Sequence, residues 1–236
     1  MKLYYSPTSP FVRKVVIVAR EVGLFEDLEI ITVAVVPHEV NPGSSSVQGA
    51  GNPLGKVWTS LSFRFLHLPE IADITVLILS KPQIPTLILE DGTVLFDSRV
   101  IVQYLAALKP AKGIIPTDIK AQFLAKKREA LADGLCEAGT LLRFEGLRPV
   151  EKQWPNWAEG QTRKITAAFD AMEAEVPDMA SSLATIGEIA FVCALGVFDF
   201  RLGAAWRDTH PKLAAWYKSV ETLPVVIATA PKAPTA

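Results

Sequence analysis

Ser9, Pro10 and Phe11 are the first residues along the chain whose types and spacing could do chemistry. A serine just ahead of a proline that opens a helix lies among backbone N–H groups with no intrahelical acceptor, near the positive end of the helix dipole. Such a place stabilises an anion. The hydroxyl can simply cap the helix, or it can donate a hydrogen bond to a thiolate brought in by a ligand. Lowering a bound thiol's pKa by about two units takes roughly 2.7 kcal/mol. One charge-assisted hydrogen bond and the dipole together reach that scale. Ile84-Pro85, directly before Thr86-Leu87, is a second candidate. With a cis bond there, the Ile84 backbone turns outward and can pair with an extended peptide ligand, although only about 5–6% of X–Pro bonds are cis. Asp97-Ser98 opens another helical pattern and is the third candidate. The Ser98 hydroxyl and the free N–H groups suit a carboxylate and Asp97 suits an ammonium, with ordinary capping as the plainer role.

These residues need a scaffold. Leu3 to Tyr5 reads as a short strand and Leu28 to Val33 as another. Between them Pro10 to Gly23 reads as a helix, with Phe11, Val15, Val18, Ala19 and Val22 on one face and Arg13, Lys14, Arg20 and Glu21 elsewhere. Ser9 is its N-cap, Pro10 suits its first position and Gly23 its end. Pro37 to Pro53 is rich in Gly, Ser, Asn and Pro and reads as loop. Thr86 to Leu89 and Thr93 to Phe96, joined across Asp91-Gly92, form a hairpin signal. Asp97 to Leu108 is a helix, and Lys109 to Pro116, with two prolines and a glycine, is a linker. Beyond Thr117 the pattern is helical: Asp118 to Glu145, Trp157 to Val176, Thr185 to Gly203 and His210 to Thr222, with a frayed Pro/Ala-rich tail from Ala228. The expected architecture is an α/β domain over residues 1–109 followed by an all-α domain over 117–236.

Composition narrows the function classes. Half of the 236 residues are apolar, enough for a real core in one large domain or two smaller ones. Lys and Arg total 24 against 25 Asp and Glu, so no positive excess argues for nucleic acid or an anionic membrane. Cys136 and Cys193 match neither a disulfide framework nor a metal-site spacing, and both read as small buried hydrophobes in a reducing compartment. The longest uncharged apolar stretch, Ile189 to Phe198, is far short of the roughly 20 residues of a membrane span. The start is too short and too broken by proline for a signal-peptide core. A soluble cytoplasmic protein without a metal is expected.

The order of pieces is more specific than any one of them: strand, Ser-capped helix, strand, Asn52-Pro53-Leu54-Gly55-Lys56, Ile84-Pro85, Asp-Gly hairpin, then Phe96-Asp97-Ser98-Arg99 leading into Ile101 and Tyr104-Leu105. This resembles the cytosolic glutathione transferase superfamily, of the serine type, over nearly the whole chain. The resemblance implies a thioredoxin-like glutathione-binding domain and a helical domain with the second substrate's pocket. It implies that Ser9 hydrogen-bonds the glutathione sulfur and that the Ile84 backbone, before a cis Pro85, pairs with the cysteinyl part. It further implies that Asp97 and Ser98 hold the γ-glutamyl end, with Lys56 near the glycyl end and His38 as a neighbour there. The absence of a cysteine near Ser9 argues against the cysteine-type branch and against a redox motif. Thr185-Ile186-Gly187-Glu188 reads as a capping box, a folding device. Trp154, Trp157, Phe144 and Trp206 read as core, with an apolar acceptor pocket as the other role, and Lys126, Lys127 and Arg128 read as a solvated face.

The sequence departs from the family between Lys56 and Ile84, where Val57 to Gln83 adds 27 residues, apolar and without a clear period. Its ends can be encoded as splice signals and its length keeps the reading frame, so translated intron is one reading; a genuine insertion acting as a lid or partner surface is the rival. The function implied by the resemblance is conjugation of the glutathione thiolate to a small hydrophobic electrophile by a homodimer. A non-catalytic binding protein of the same fold and a glutathione-dependent isomerase are the alternatives.

Overall fold

Residues 1–32 and 84–232 are described in the computed structural model. The N-terminal part is a four-stranded mixed sheet in the order β2-β1-β3-β4, built from β1 (Lys2–Tyr5), β2 (Glu29–Thr32), β3 (Thr86–Ile88) and β4 (Val94–Leu95). β1 and β2 run parallel, with Leu3 opposite Ile30. Parallel neighbours need a crossover, and α1 (Pro10–Glu21) supplies it. β1 pairs antiparallel with β3, Leu3 opposite Leu87, and β3 antiparallel with β4, Leu87 opposite Leu95. Leu3 and Leu87 are fully buried at the centre of the sheet. The β3–β4 turn is tied by the Asp91 carboxylate, which accepts from the Thr93 amide at 2.8 Å.

α1 begins where Ser9 accepts from the Val12 amide at 3.3 Å and Pro10 takes the first helical position. It ends at Gly23, whose φ of +73° costs a residue without a Cβ little. The expected apolar face is buried, yet Arg13 and Lys14 are buried too. The helix is therefore enclosed on two sides: by the sheet on one and by α2 (Ser98–Leu108), α3 (Ile119–Gly146) and α5 (Ile186–Arg201) on the other.

The remainder is helical, adding α4 (Pro155–Glu175), α6 (Trp206–Thr209), α7 (Pro211–Val220) and α8 (Pro224–Ala228). Nearly all of α5 is buried, including Ile186, Ile189, Phe191 and Leu195. Each such side chain contributes roughly 1.5–3 kcal/mol by leaving water, which makes α5 the axis of this half. Its start carries both halves of the capping box: the Gly187 amide donates to Thr185 Oγ1 at 3.2 Å and the Thr185 amide to Glu188 Oε2 at 2.9 Å. α3 packs along α5 in the same direction, Arg128 meeting Gly187 near their starts and Gly139 meeting Phe198 and Leu202 near their ends.

Three expectations are corrected. Arg128 is not on a solvated face: it is buried, with Nε on Glu175 at 3.0 Å and Nη1 on Glu188 at 3.5 Å. The tail is not frayed from Ala228, because α8 ends there and Thr229 accepts from Arg13 Nε at 3.3 Å. Trp206 is core, but Trp154 is exposed. Among the described residues no helix is long and apolar enough to cross a membrane.

Candidate functional site

The sheet topology brings the singled-out residues to one end. β1 runs toward that end and hands the chain through a Ser6–Ser9 turn to the start of α1. β3 runs the opposite way, so its start, just after Pro85, lies there as well. β4 runs antiparallel to β3, so it too finishes there, and Asp97 caps α2 just beyond. Two parallel helices thus aim their N-termini past the same edge, with the Ile84–Pro85 segment beside them. Each N-terminus presents a positive dipole end, and two of them at one sheet end suit a ligand with separated anionic groups.

The side chains are set differently at each point. Ser9 is half-buried and lines a cleft of about 100 Å³ with Tyr5, Ser6, Arg13, Arg20 and Thr229. Its oxygen accepts from Val12, and no described residue accepts its proton. The Ile84–Pro85 bond is cis, as is Phe96–Asp97. Asp97 is exposed and accepts from the Arg99 amide at 3.0 Å. Ser98 is buried, and its hydroxyl has no hydrogen-bond partner among the described residues. Lys56, His38 and the segment 57–83 lie outside the described residues.

A polar seam beneath this end escaped the sequence reading. Lys14, 1% exposed, donates to Glu129 Oε1 at 2.9 Å and to both Asp133 oxygens at 2.9 Å. Asp133 also accepts from Arg99 Nε at 2.8 Å, and Glu137 lies 4.0 Å from the Arg99 guanidinium. Asp133 therefore joins α1, α2 and α3 just below Asp97-Ser98. Burial alone would push Lys14 down, but the charges and hydrogen bonds of Asp133 and Glu129 outweigh it and hold the ammonium above its ordinary value. Burial pushes Glu137 up, with Arg99 pulling it back and the carboxylates of Asp133 and Asp97 adding to the rise. Glu137 and Asp97 thus make the approach to the α2 N-terminus acidic on one side. The available signal was Arg13-Lys14 inside a helix otherwise apolar from Val12 to Ala19. Such charges are almost never fully buried unless paired, which periodicity alone does not reveal.

Arg13 closes the other side of the cleft. Its Nη1 donates to the Val192 carbonyl at 3.2 Å and its Nη2 to the Val226 carbonyl at 3.0 Å. A Cβ on Gly196 would fall 2.2 Å from Nη1, so this close approach requires glycine. The cysteines take no part. Burial pushes Cys193 up to about 11 and raises Cys136 well above the ordinary thiol value, so both stay protonated at neutral pH. Among the described residues no group of His, Cys, Asp and Glu could hold a metal ion.

Comparison with known proteins agrees with this arrangement. Residues 8–108 match the family described as Glutathione S-transferase, N-terminal domain, and residues 155–219 match Glutathione S-transferase, C-terminal domain. The Escherichia coli uncharacterized GST-like protein YibF is 30% identical over 227 residues, covering 94% of this chain and 93% of that protein. A glutathione transferase family member from Pseudomonas fluorescens, solved with bound glutathione, superimposes with a TM-score of 0.78 at 33% identity, covering 98% of this chain and 99% of the other. The structure described for that organism with bound S-(propanoic acid)-glutathione gives a TM-score of 0.75 at 32% identity, covering 99% and 100%.

Proposed function

The chain belongs to the glutathione S-transferase family, and from that membership we propose that it binds glutathione and joins its sulfur to hydrophobic electrophiles, with the Ser9 hydroxyl stabilising the thiolate. The observation that carries this reading is the Ser9 hydroxyl at a helix N-terminus, its proton unaccepted among the described residues, at the same sheet end as Ile84–Pro85 and Asp97-Ser98. In this reading the Ile84 backbone pairs with the cysteinyl part, Pro85 holds that backbone, Asp97 takes the γ-glutamyl ammonium and Ser98 its carboxylate, and Lys56 serves the glycyl end. The glutathione-bound relative from Pseudomonas fluorescens supports the ligand assignment.

The chemistry asks little of the protein. The glutathione thiol loses its proton to solvent, the sulfur forms a bond to the electrophilic carbon, and the displaced group leaves with its electron pair. Ser9 and the α1 dipole lower the thiol pKa, and the site holds the two reactants together. No covalent bond to the protein forms. The thioredoxin-like part belongs to 1–109 and the helical part to 117–236 in this reading, and the setting is the cytoplasm. A homodimer is part of the same proposal. Val100 and Leu108 on α2 and Ile119 and Phe123 on α3 are exposed, and Lys126 reaches Gln103 at 3.2 Å, so these apolar groups share the flank formed by the two helices. A second copy is the natural cover for such a surface.

The test is retention on immobilised glutathione together with turnover of chlorodinitrobenzene. Retention with turnover that collapses in Ser9→Ala supports the proposal. Retention without turnover favours a non-catalytic binder or a glutathione-dependent isomerase, and no retention overturns glutathione binding itself.

A further inference from the structure

Past the sheet end the two long buried helices of the second half continue alone. α2 and α3 run antiparallel, as Arg99 meets Asp133 and Gln103 meets Lys126. α1 runs parallel to α2, so the later part of α3 extends in the direction from which α1 starts. α5, parallel to α3, extends the same way. Lys14 is level with Asp133; from there Ser9 lies roughly 7 Å toward that end and Arg143 roughly 15 Å, by the 1.5 Å helical rise. Arg201 lies at a similar height, roughly 13 Å beyond Val192, whose carbonyl meets Arg13. Both arginines therefore stand roughly 8 Å beyond Ser9 along the helix axes.

Both also lie beside the seam between α3 and α5. Gly139 faces Phe198 and Leu202 across the α3–α5 seam. Arg143 is one turn after Gly139, and Arg201 lies between Phe198 and Leu202 in sequence but on the flank of α5 that Val197 shares. Each guanidinium lies over its neighbouring ring, Arg143 at 5.9 Å from Phe144 and Arg201 at 4.5 Å from Phe200. Both residues are half-buried, and neither has a carboxylate partner among the described residues. Burial pushes Arg201 down, and the charge of Arg143 adds to that shift. Helix C-termini favour cations, which accounts for one arginine in each last turn. It does not account for holding both half-buried at one level of adjacent helices with no carboxylate partner among the described residues.

We infer that Arg143 and Arg201 form an anion subsite above the thiolate, and that the second substrate is an electrophile carrying a carboxylate. The inference rests on the proposed transferase reading and adds the charge of the acceptor. The guanidinium forks grip the carboxylate while the apolar faces of Phe144 and Val197 meet the rest of the molecule. The conjugate bound to the Pseudomonas fluorescens relative has this chemistry, a carboxylate close to the glutathione sulfur.

Calorimetric titration of the full chain with glutathione, S-propylglutathione and S-(propanoic acid)-glutathione tests it. The acid conjugate is expected to bind about tenfold or more tightly than the propyl conjugate, the scale of one charged hydrogen bond. Arg143→Gln with Arg201→Gln removes that preference and leaves glutathione affinity in place. Equal affinity for the two conjugates in the wild type, or a preference that survives the double substitution, overturns the subsite while leaving the transferase reading intact. Absence of glutathione binding overturns both. Should the double variant not fold, salt replaces it: a charge-based preference shrinks as salt rises from about 0.05 to 0.5 M, and one that does not shrink overturns the subsite.

Discussion

α1 carries two adjacent buried cations, and the far ends of α3 and α5 carry two half-buried ones, but the pairs differ in what surrounds them. Arg13 and Lys14 are well partnered. Arg13 donates to two carbonyls and a hydroxyl, and Lys14 to two carboxylates. Arg143 and Arg201 each lie over an aromatic ring and have no carboxylate partner among the described residues. A charge taken out of water and hydrogen-bonded to partners on distant helices ties the two halves of the molecule together. In the subsite proposed above, a charge left part-way out of water is matched by the carboxylate of a ligand. Position in the sequence does not separate these cases, since both pairs sit on helices among apolar neighbours; partners do.

Lys14→Met breaks the comparison hardest. It strands Asp133 and Glu129 in a buried seam and is expected to lower unfolding free energy by about 3–5 kcal/mol in urea titrations. A loss below about 1 kcal/mol would mean that Arg99 alone satisfies Asp133. The same pair has a pH signature. The native Lys14 pKa is raised above its ordinary 10.5, so its contribution is whole below that value and fades as pH climbs through the native one. Urea midpoints followed from about pH 8 to pH 11 should fall in the wild type and fall less in Lys14→Met.

Ser9→Ala comes next, with an effect on rate more than on fold. Losing about two units of thiol acidification predicts on the order of a 100-fold lower rate at neutral pH, read as kcat/KM for chlorodinitrobenzene. The lost cap costs about 1 kcal/mol in stability. Thr185→Ala sharpens the comparison from outside both clusters: it removes half of the capping box and should cost about 1 kcal/mol while leaving glutathione retention unchanged. Arg143→Gln should change stability least, within about 0.5 kcal/mol by thermal or urea unfolding. A large loss there would make Arg143 a structural cation like Lys14.

The elements were legible because local rules govern them. The Ser-Pro start of α1, the Asp-Gly hairpin, the Asp97 cap and the Thr185 box all occur where the residues indicated. Boundaries shifted by a residue or two, as frayed ends do. The candidate site was legible as three separate spots, and their meeting at one sheet end follows from strand directions that a linear reading does not contain. Arg99, Asp133 and Glu137 were not legible, because Asp133 is distant in sequence from both cations it binds. Arg128 was misread for the same reason: its partners Glu175 and Glu188 lie on other parts of the chain. Composition marks such charges as polar, and only folding turns polar into paired.

The grip of Arg13 on the last helix carries a consequence for biosynthesis. Its acceptors follow it by 179 to 216 residues. On the ribosome the guanidinium therefore emerges long before any of them exists, and it must stay hydrated while they are made. The first helix can form early, but its final seating waits for late-translated residues, so a nascent chain halted before Val226 would leave the wall of the Ser9 cleft unbuilt.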